Sequence, residues 1–198
     1  MSMQPNTFGI FTLHLQLRSG SLPYFNQNKH VFTESDCWDM AVDKSLSVKG
    51  IMISARIPDR GENVINIDIL TPMLWEVVGE YAGSKLFHRP KAYREMKASV
   101  AQQCLALAET VIPGLGEVVL KSWSSTPLSY RDYNLTPNGS AFGFRKDYAN
   151  PMMTIVSPRT QIPNLFMTGQ SLMLHGLHGV TMTAAYTCQE LNKNIISE

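Results

Sequence analysis

The sequence predicts a mixed α/β fold of the α+β kind, and three observations carry that prediction. Phe11, Leu13, Leu15 and Leu17 alternate with Thr12, His14 and Gln16, the period of two of a strand with one buried face. Residues 90–112 instead repeat their apolar side chains at steps of three and four, the period of a helix lying on a core. Residues 164–185, NLFMTGQSLMLHGLHGVTMTAA, pass from the apolar run Leu165, Phe166, Met167 through Gly169 to a second helical series that Gly179 opens. That order reads as strand, glycine turn, loop and helix.

Taken in order, the strand over 7–17 is followed by a turn-rich connection with Pro23, Asn26 and Asn28, then a short strand over 30–33. Ser35 is suited to cap a helix over 36–46, with Trp38, Val42 and Leu46 on one face. Segments 51–57 and 64–70 read as a hairpin joined by the polar turn PDRGEN. Thr71 and Pro72 then supply an N-cap and a first-turn proline for a helix over 72–79, with Trp75, Val78 and Tyr81 as its apolar contacts. In the long helix, Tyr93, Met96, Val100, Cys104, Leu107 and Val111 form a core stripe, and Pro113 with Gly114 ends it. A strand over 118–124 comes next. Residues 126–147 fit neither period and read as a loop, whose Tyr130, Tyr133, Phe142 and Phe144, interleaved with Gly139, Ser140 and Gly143, suit either a flat apolar pocket or a packed surface. In the last helix Val180, Ala184, Cys188, Leu191 and Ile195 share one face. Gly176 and Gly179 ahead of it let a flat ligand approach the backbone, and the unpaired first amides of a helix favour a group that becomes negative.

Composition narrows the function. A chain of 198 residues makes one domain, or one and a small second. With 44% hydrophobic and 17% charged residues it is globular but sparsely charged, so apolar surface is reserved for a ligand, another domain or a membrane. The net charge of +1 and the lack of a basic run exclude an electrostatic case for nucleic acid. Cys37, Cys104 and Cys188 are widely spaced within apolar patterns and read as buried free thiols of a reducing compartment. No apolar run approaches the roughly 20 residues of a membrane span, and the first residues lack a signal pattern, so the expected location is cytoplasmic.

Side-chain chemistry offers little. His175 and His178 are three apart but have no Cys, Asp or Glu beside them, which argues against a metal. GQS and NGS lack the G-x-S-x-G elbow, and local context suggests no set of Ser, His and acid. There is no phosphate loop and no C-x-x-C pair. Glu76 and Glu80, one helical turn apart, read as solvated surface, and Arg131 as a surface or packing charge.

Residues 157–191, SPRTQIPNLFMTGQSLMLHGLHGVTMTAAYTCQEL, resemble the C-terminal flavin-contacting motif of the phytoene-desaturase-like flavoproteins, the group of carotenoid desaturases, carotenoid isomerases and retinol-saturase-type reductases. The likeness extends through TPLSYRDYNLTPNGSAFG, residues 126–143, and more weakly upstream. It implies the C-terminal part of an FAD-dependent oxidoreductase acting on an apolar polyene by desaturation, isomerisation or saturation. Residues 157–198 would then be the last strand and helix of a Rossmann-like FAD-binding domain, and residues 1–156 an incomplete substrate-side domain. By the same resemblance the amides of Val180 and Thr181 bond a flavin carbonyl, Gly179 opens the flavin-facing helix, Gly169 and Gln170 follow the ribityl and pyrophosphate chain, and His175 lies near the isoalloxazine ring. Tyr130, Tyr133 and Phe142 are the expected substrate contacts. His178 is less expected and either bonds the loop or lies at the surface. No catalytic side chain is assigned, since the flavin itself carries the hydride and the helix start favours its anionic reduced form.

The G-x-G-x-x-G turn that holds the adenine half of FAD in that family is absent. Weak or no FAD retention by this chain alone is therefore expected. The expected partners are a missing N-terminal FAD-binding segment or a separate Rossmann subunit, together with a polyene-type small molecule. Lipophilic substrates of the resembled family leave peripheral membrane contact open, and bare apolar surface is a route to a homodimer. The alternative class is a non-catalytic module that binds an apolar ligand or a partner protein.

Overall fold

A computed structural model describes residues 5–35 and 43–196, in which the chain divides into two compact units. The larger comprises Phe8–Gly139, and the smaller comprises residues 5–7 with 140–196.

In the larger unit, β1 (Gly9–Leu17), β2 (Lys29–Phe32), β3 (Gly50–Ala55), β4 (Asn66–Met73) and β5 (Val119–Ser125) form an antiparallel sheet in the order β2-β3-β4-β1-β5. The alternation along β1 does what its period requires. Phe11, Leu13, Leu15 and Leu17 are all buried, while His14 and Gln16 on the other face are half-buried. The predicted hairpin is β3 and β4, in register with Ile53 opposite Ile69. Across the buried face runs α2 (Lys91–Glu109), which presses Tyr93, Met96, Val100, Cys104 and Ala108 onto the sheet. Burial of each large aliphatic side chain there stabilises by about 1.5–3 kcal/mol.

Three expectations are corrected in this unit. Thr71 and Pro72 do not start a helix; they finish β4, where Pro72 lies opposite Ile10 and the Thr71 hydroxyl donates to the Gly50 carbonyl at 2.8 Å. Ladder pairing with β1 continues to Met73, so the helix that follows, α1 (Trp75–Val78), is a single turn capped by Leu74 without a side-chain bond. The helix expected over 36–46 falls largely outside the described residues, and its described end is not helical: the Asp43 carboxylate accepts from the Ser45 amide at 2.7 Å. The stretch read as a loop opens with a helix, α3 (Pro127–Asn134). Thr126 caps it reciprocally with Ser129 and Pro127 takes the first turn, a start signal that was present in the sequence but outweighed by the absence of apolar periodicity.

The smaller unit is built around α4 (Gly176–Ile196), with a single turn at Pro151–Thr154 and otherwise irregular chain. The strand expected at 165–167 is reduced to one bridge, Arg159 to Phe166, with the Met167 amide bonded to the Pro158 carbonyl at 2.8 Å. A strand needs a neighbour along its length, and the described residues supply one at a single position. A Rossmann-like sheet is therefore not present among them. The buried face of α4 is also not the predicted one. Thr183, Thr187 and Glu190 face inward, whereas Ala184, Cys188 and Leu191 are exposed and Val180 is half-buried; the Ile195 side chain lies outside the described set. The inward polar groups are affordable because each is satisfied: Thr183 donates to Gly179, Thr187 to Thr183 and Met167, and Glu190 accepts from Arg159 at 2.5 Å. Cys188 thus differs from the expected buried thiol, Cys104 matches it, and Cys37 lies outside the described residues. No helix among the described residues is long and apolar enough to cross a membrane.

Candidate functional site

In the smaller unit the glycine turn gathers four of the predicted site residues. Gly169 and Gly176 adopt φ of 109° and 78°, and a Cβ at either would meet nothing within 4 Å, so the backbone there is open to approach. Leu172 anchors the turn as a buried side chain, its amide bonded to the Gly169 carbonyl and its carbonyl to the Val156 amide. The segment 141–146 is laced along it. Gln170 donates to the Ala141 carbonyl at 3.3 Å, Lys146 to the Ser171 carbonyl at 2.9 Å, and the rings of Phe142 and His175 lie 5.0 Å apart. Burial lowers the Lys146 pKa. Gly143 is required by close contact, since a Cβ there would stand 2.2 Å from the Ser171 hydroxyl.

The helix that follows begins at Gly176, three residues before the expected start. Gly179 is buried within the first turn, where a Cβ would lie 2.5 Å from the Leu174 carbonyl, so its absence of a side chain serves packing. With that start, the amides of Val180 and Thr181 meet carbonyls four residues back, and the amides without an intrahelical partner are those of Gly176, Leu177 and His178. The Thr181 hydroxyl also turns inward along the helix, to the Leu177 carbonyl at 2.9 Å. His175 and His178 are both exposed. The open backbone at Gly169 and Gly176, the Phe142–His175 pair and the first-turn amides suit the flat, partly anionic half of a flavin. No glycine motif for an adenine half occurs in the chain.

Of the expected substrate contacts, Tyr130 and Tyr133 belong to the larger unit and Phe142 to the smaller. Tyr130 is half-buried on α3, and Tyr133 is exposed at the mouth of a cleft of about 790 Å³ between α2, β5 and α3. Sequence reasoning missed this cleft. Arg89 closes one end, donating to the carbonyls of Tyr81 and Ser84 at 2.9 and 2.7 Å and pairing with Asp132. Asp132 also accepts from Arg131, which bonds the Ala82 carbonyl and lies over the Trp75 ring, the packing role expected of it. Beside Arg89, Phe87 stands 84% exposed at φ 64°, a backbone state that costs a bulky residue about 1–3 kcal/mol.

The opposite sheet face brings together a set that local context did not suggest. His14 Nδ1 lies 2.6 Å from Asp68 Oδ1 and His14 Nε2 lies 3.3 Å from Ser125 Oγ, with Trp123 stacked on the imidazole. With Asp68 ionised, Nδ1–H donates to it and Nε2 accepts from the serine hydroxyl. The 3.3 Å spacing is long for a hydroxyl donor, and the Arg56 guanidinium already holds Asp68 through two bonds of 3.0 and 2.9 Å. The cluster is a polar seam across β4, β1 and β5, visible only once strand register puts Asp68 opposite His14. Among the described residues no group of three or more His, Cys, Asp or Glu is placed to hold a metal.

No family model matches the chain. Among curated proteins it is similar to all-trans-retinol 13,14-reductases. The Danio rerio protein is 26% identical over 145 residues, covering 70% of this chain and 23% of that protein. The Macaca fascicularis and Homo sapiens proteins are each 24% identical over 191 residues, covering 86% of this chain and 31% of theirs. The chain is thus distantly similar to all-trans-retinol 13,14-reductases and spans between 23% and 31% of their length.

Proposed function

We propose that this chain is the flavin-facing and substrate-side portion of an FAD-dependent oxidoreductase acting on a retinoid-like polyene. The observation that carries the proposal is the similarity to retinol reductases over as much as 86% of the chain. Bound flavin would supply or accept the hydride. The chain's own part is to hold and orient the ring. Gly169 and Gln170 line the turn, His175 and Phe142 flank it, and the amino end of α4 from Gly176 through Gly179, Val180 and Thr181 presents its dipole to the pyrimidine edge. The exposed stripe of Ala184, Cys188 and Leu191 further supports the reading, since it is the face such a helix would bury against the remainder of an FAD-binding domain.

The test has two steps. The purified chain is mixed with FAD, desalted and read by visible absorption, with little or no retained flavin expected because the adenine-binding motif is absent. The chain is then exchanged for the matching segment of an all-trans-retinol 13,14-reductase. A chimera that keeps oxidised-flavin bands and reduces all-trans-retinol supports the proposal. A folded chimera that holds no flavin overturns it in favour of a non-catalytic module.

A further inference from the structure

The cleft of the larger unit holds a cation without a counter-ion among the described residues. Lys97, half-buried on α2, donates from Nζ to the Ser124 carbonyl at 2.5 Å and lies 5.6 Å from the centre of the Tyr93 ring. Among the described residues no carboxylate lies within ion-pairing distance of it. The one carboxylate that lines the cleft, Asp132, is engaged by Arg89 and Arg131. Arg94, exposed and about one helical turn before it, also lines the cleft and has no ion-pair partner among the described residues. An ammonium partly withdrawn from water with a carbonyl and a ring face beside it has room for one strong acceptor from the cleft. Leu13, Leu86, Phe87, Ala98, Ala101 and Leu128 supply an apolar wall, and Ser122, Ser124, Ser125 and Ser129 add neutral polar lining. A volume of about 790 Å³ falls within the range of about 300–1,000 Å³ typical of small-molecule sites.

We propose that this cleft binds a single-chain anionic amphiphile, a long-chain carboxylate, with its head group on the Lys97 ammonium and the Arg94 guanidinium and its chain along the wall of Leu13, Ala101, Leu128 and Leu86. Charge complementarity selects the anion, and the apolar wall selects the chain over a small inorganic ion. Phe87, held out of the core in a strained backbone state at the rim, is placed to close over the chain. The burial that lowers the Lys97 pKa agrees with a site whose cation is completed by a ligand. The cleft belongs wholly to the larger unit, so the inference does not depend on the flavin reading.

Titration of the full chain with dodecanoate below its micellar concentration, followed by calorimetry, tests this directly. Saturable single-site binding is expected, with dodecanol and dodecyltrimethylammonium weaker by about tenfold or more, since each loses the charge-assisted bond. Lys97→Met removes a desolvated charge and should fold; it is expected to weaken dodecanoate by about tenfold, with Lys97→Arg restoring most of it. Ala98→Trp, on the exposed side of α2, is expected to fill the cleft and abolish binding while circular dichroism stays unchanged. Equal binding of dodecanol, undiminished binding by folded Lys97→Met, or binding only to vesicles of anionic phospholipid overturns the proposal.

Discussion

Single residues differ sharply in what they tolerate. Gly139 adopts φ of 59°, and a Cβ there would stand 1.9 Å from the Pro127 carbonyl oxygen, which is backbone and cannot give. Gly61, at φ 76°, has nothing within 4 Å. Gly139→Ala is therefore expected to cost more than about 3 kcal/mol and Gly61→Ala about 1 kcal/mol, read from urea midpoints. Cysteines give a second contrast. Burial pushes the Cys104 thiol up to about 12, while Cys188 is exposed. In a Cys37→Ser background at mildly alkaline pH, a thiol reagent is expected to label Cys188 at once and Cys104 only after unfolding. Lys97 supplies a pH dependence. Its folded pKa is lowered below 10.5 by burial, so the unfolded chain binds the proton more tightly. Its contribution costs most below the lowered value, and stability rises with pH between that value and 10.5. In the window just below pH 10.5, Lys97→Met should remove that rise from the urea midpoint, measured as a difference from wild type.

At the scale of elements, the strands and the long helix were legible because their burial follows their own periodicity. β1 keeps its odd residues inside, and α2 buries Tyr93, Met96, Val100 and Cys104 of its expected stripe, while Leu107 is half-buried and Val111, past the end of the helix, is exposed. Elements decided by neighbours were not. Thr71 and Pro72 carry a helix-start signature yet extend β4, because β1 offers them a ladder. The start of α3 was marked in sequence by Thr126, Pro127 and Ser129, but its energetic weight is tertiary: the Thr126 hydroxyl is fully buried and bonded to Tyr93 at 2.8 Å as well as capping the helix. Thr126→Ala is expected to lose both bonds and destabilise the chain by about 1–3 kcal/mol, with Tyr93→Phe costing about 1 kcal/mol, and a double-mutant cycle should show the two coupled.

At the scale of the whole molecule, the apolar core is unevenly shared. Every residue of the buried cluster lies between Phe11 and Leu128, and among the described residues the smaller unit adds Leu172 to the buried large hydrophobic side chains. Native-state hydrogen exchange should therefore find α4 opening at lower free energy than β1 and β4, and equal protection of the two would contradict this account. The candidate site was partly legible for the same reason that it is weakly buried. The glycine turn at Gly169 and the long helix after it are written in local chemistry, where residue type alone sets backbone freedom and helical spacing. The helix start at Gly176, the inward face of Thr183 and Thr187, and the lacing of Phe142 onto His175 depend on which segments fold against α4. By itself the sequence determined the α+β class, the strand alternation, the core stripe of α2 and the turn-to-helix motif, because each rests on periodicity or on the conformational limits of single residues. Tertiary structure alone decided the strand order, the cleft that holds Lys97 and the His14–Asp68–Ser125 seam, because each joins residues far apart in the chain whose proximity only strand register and packing create.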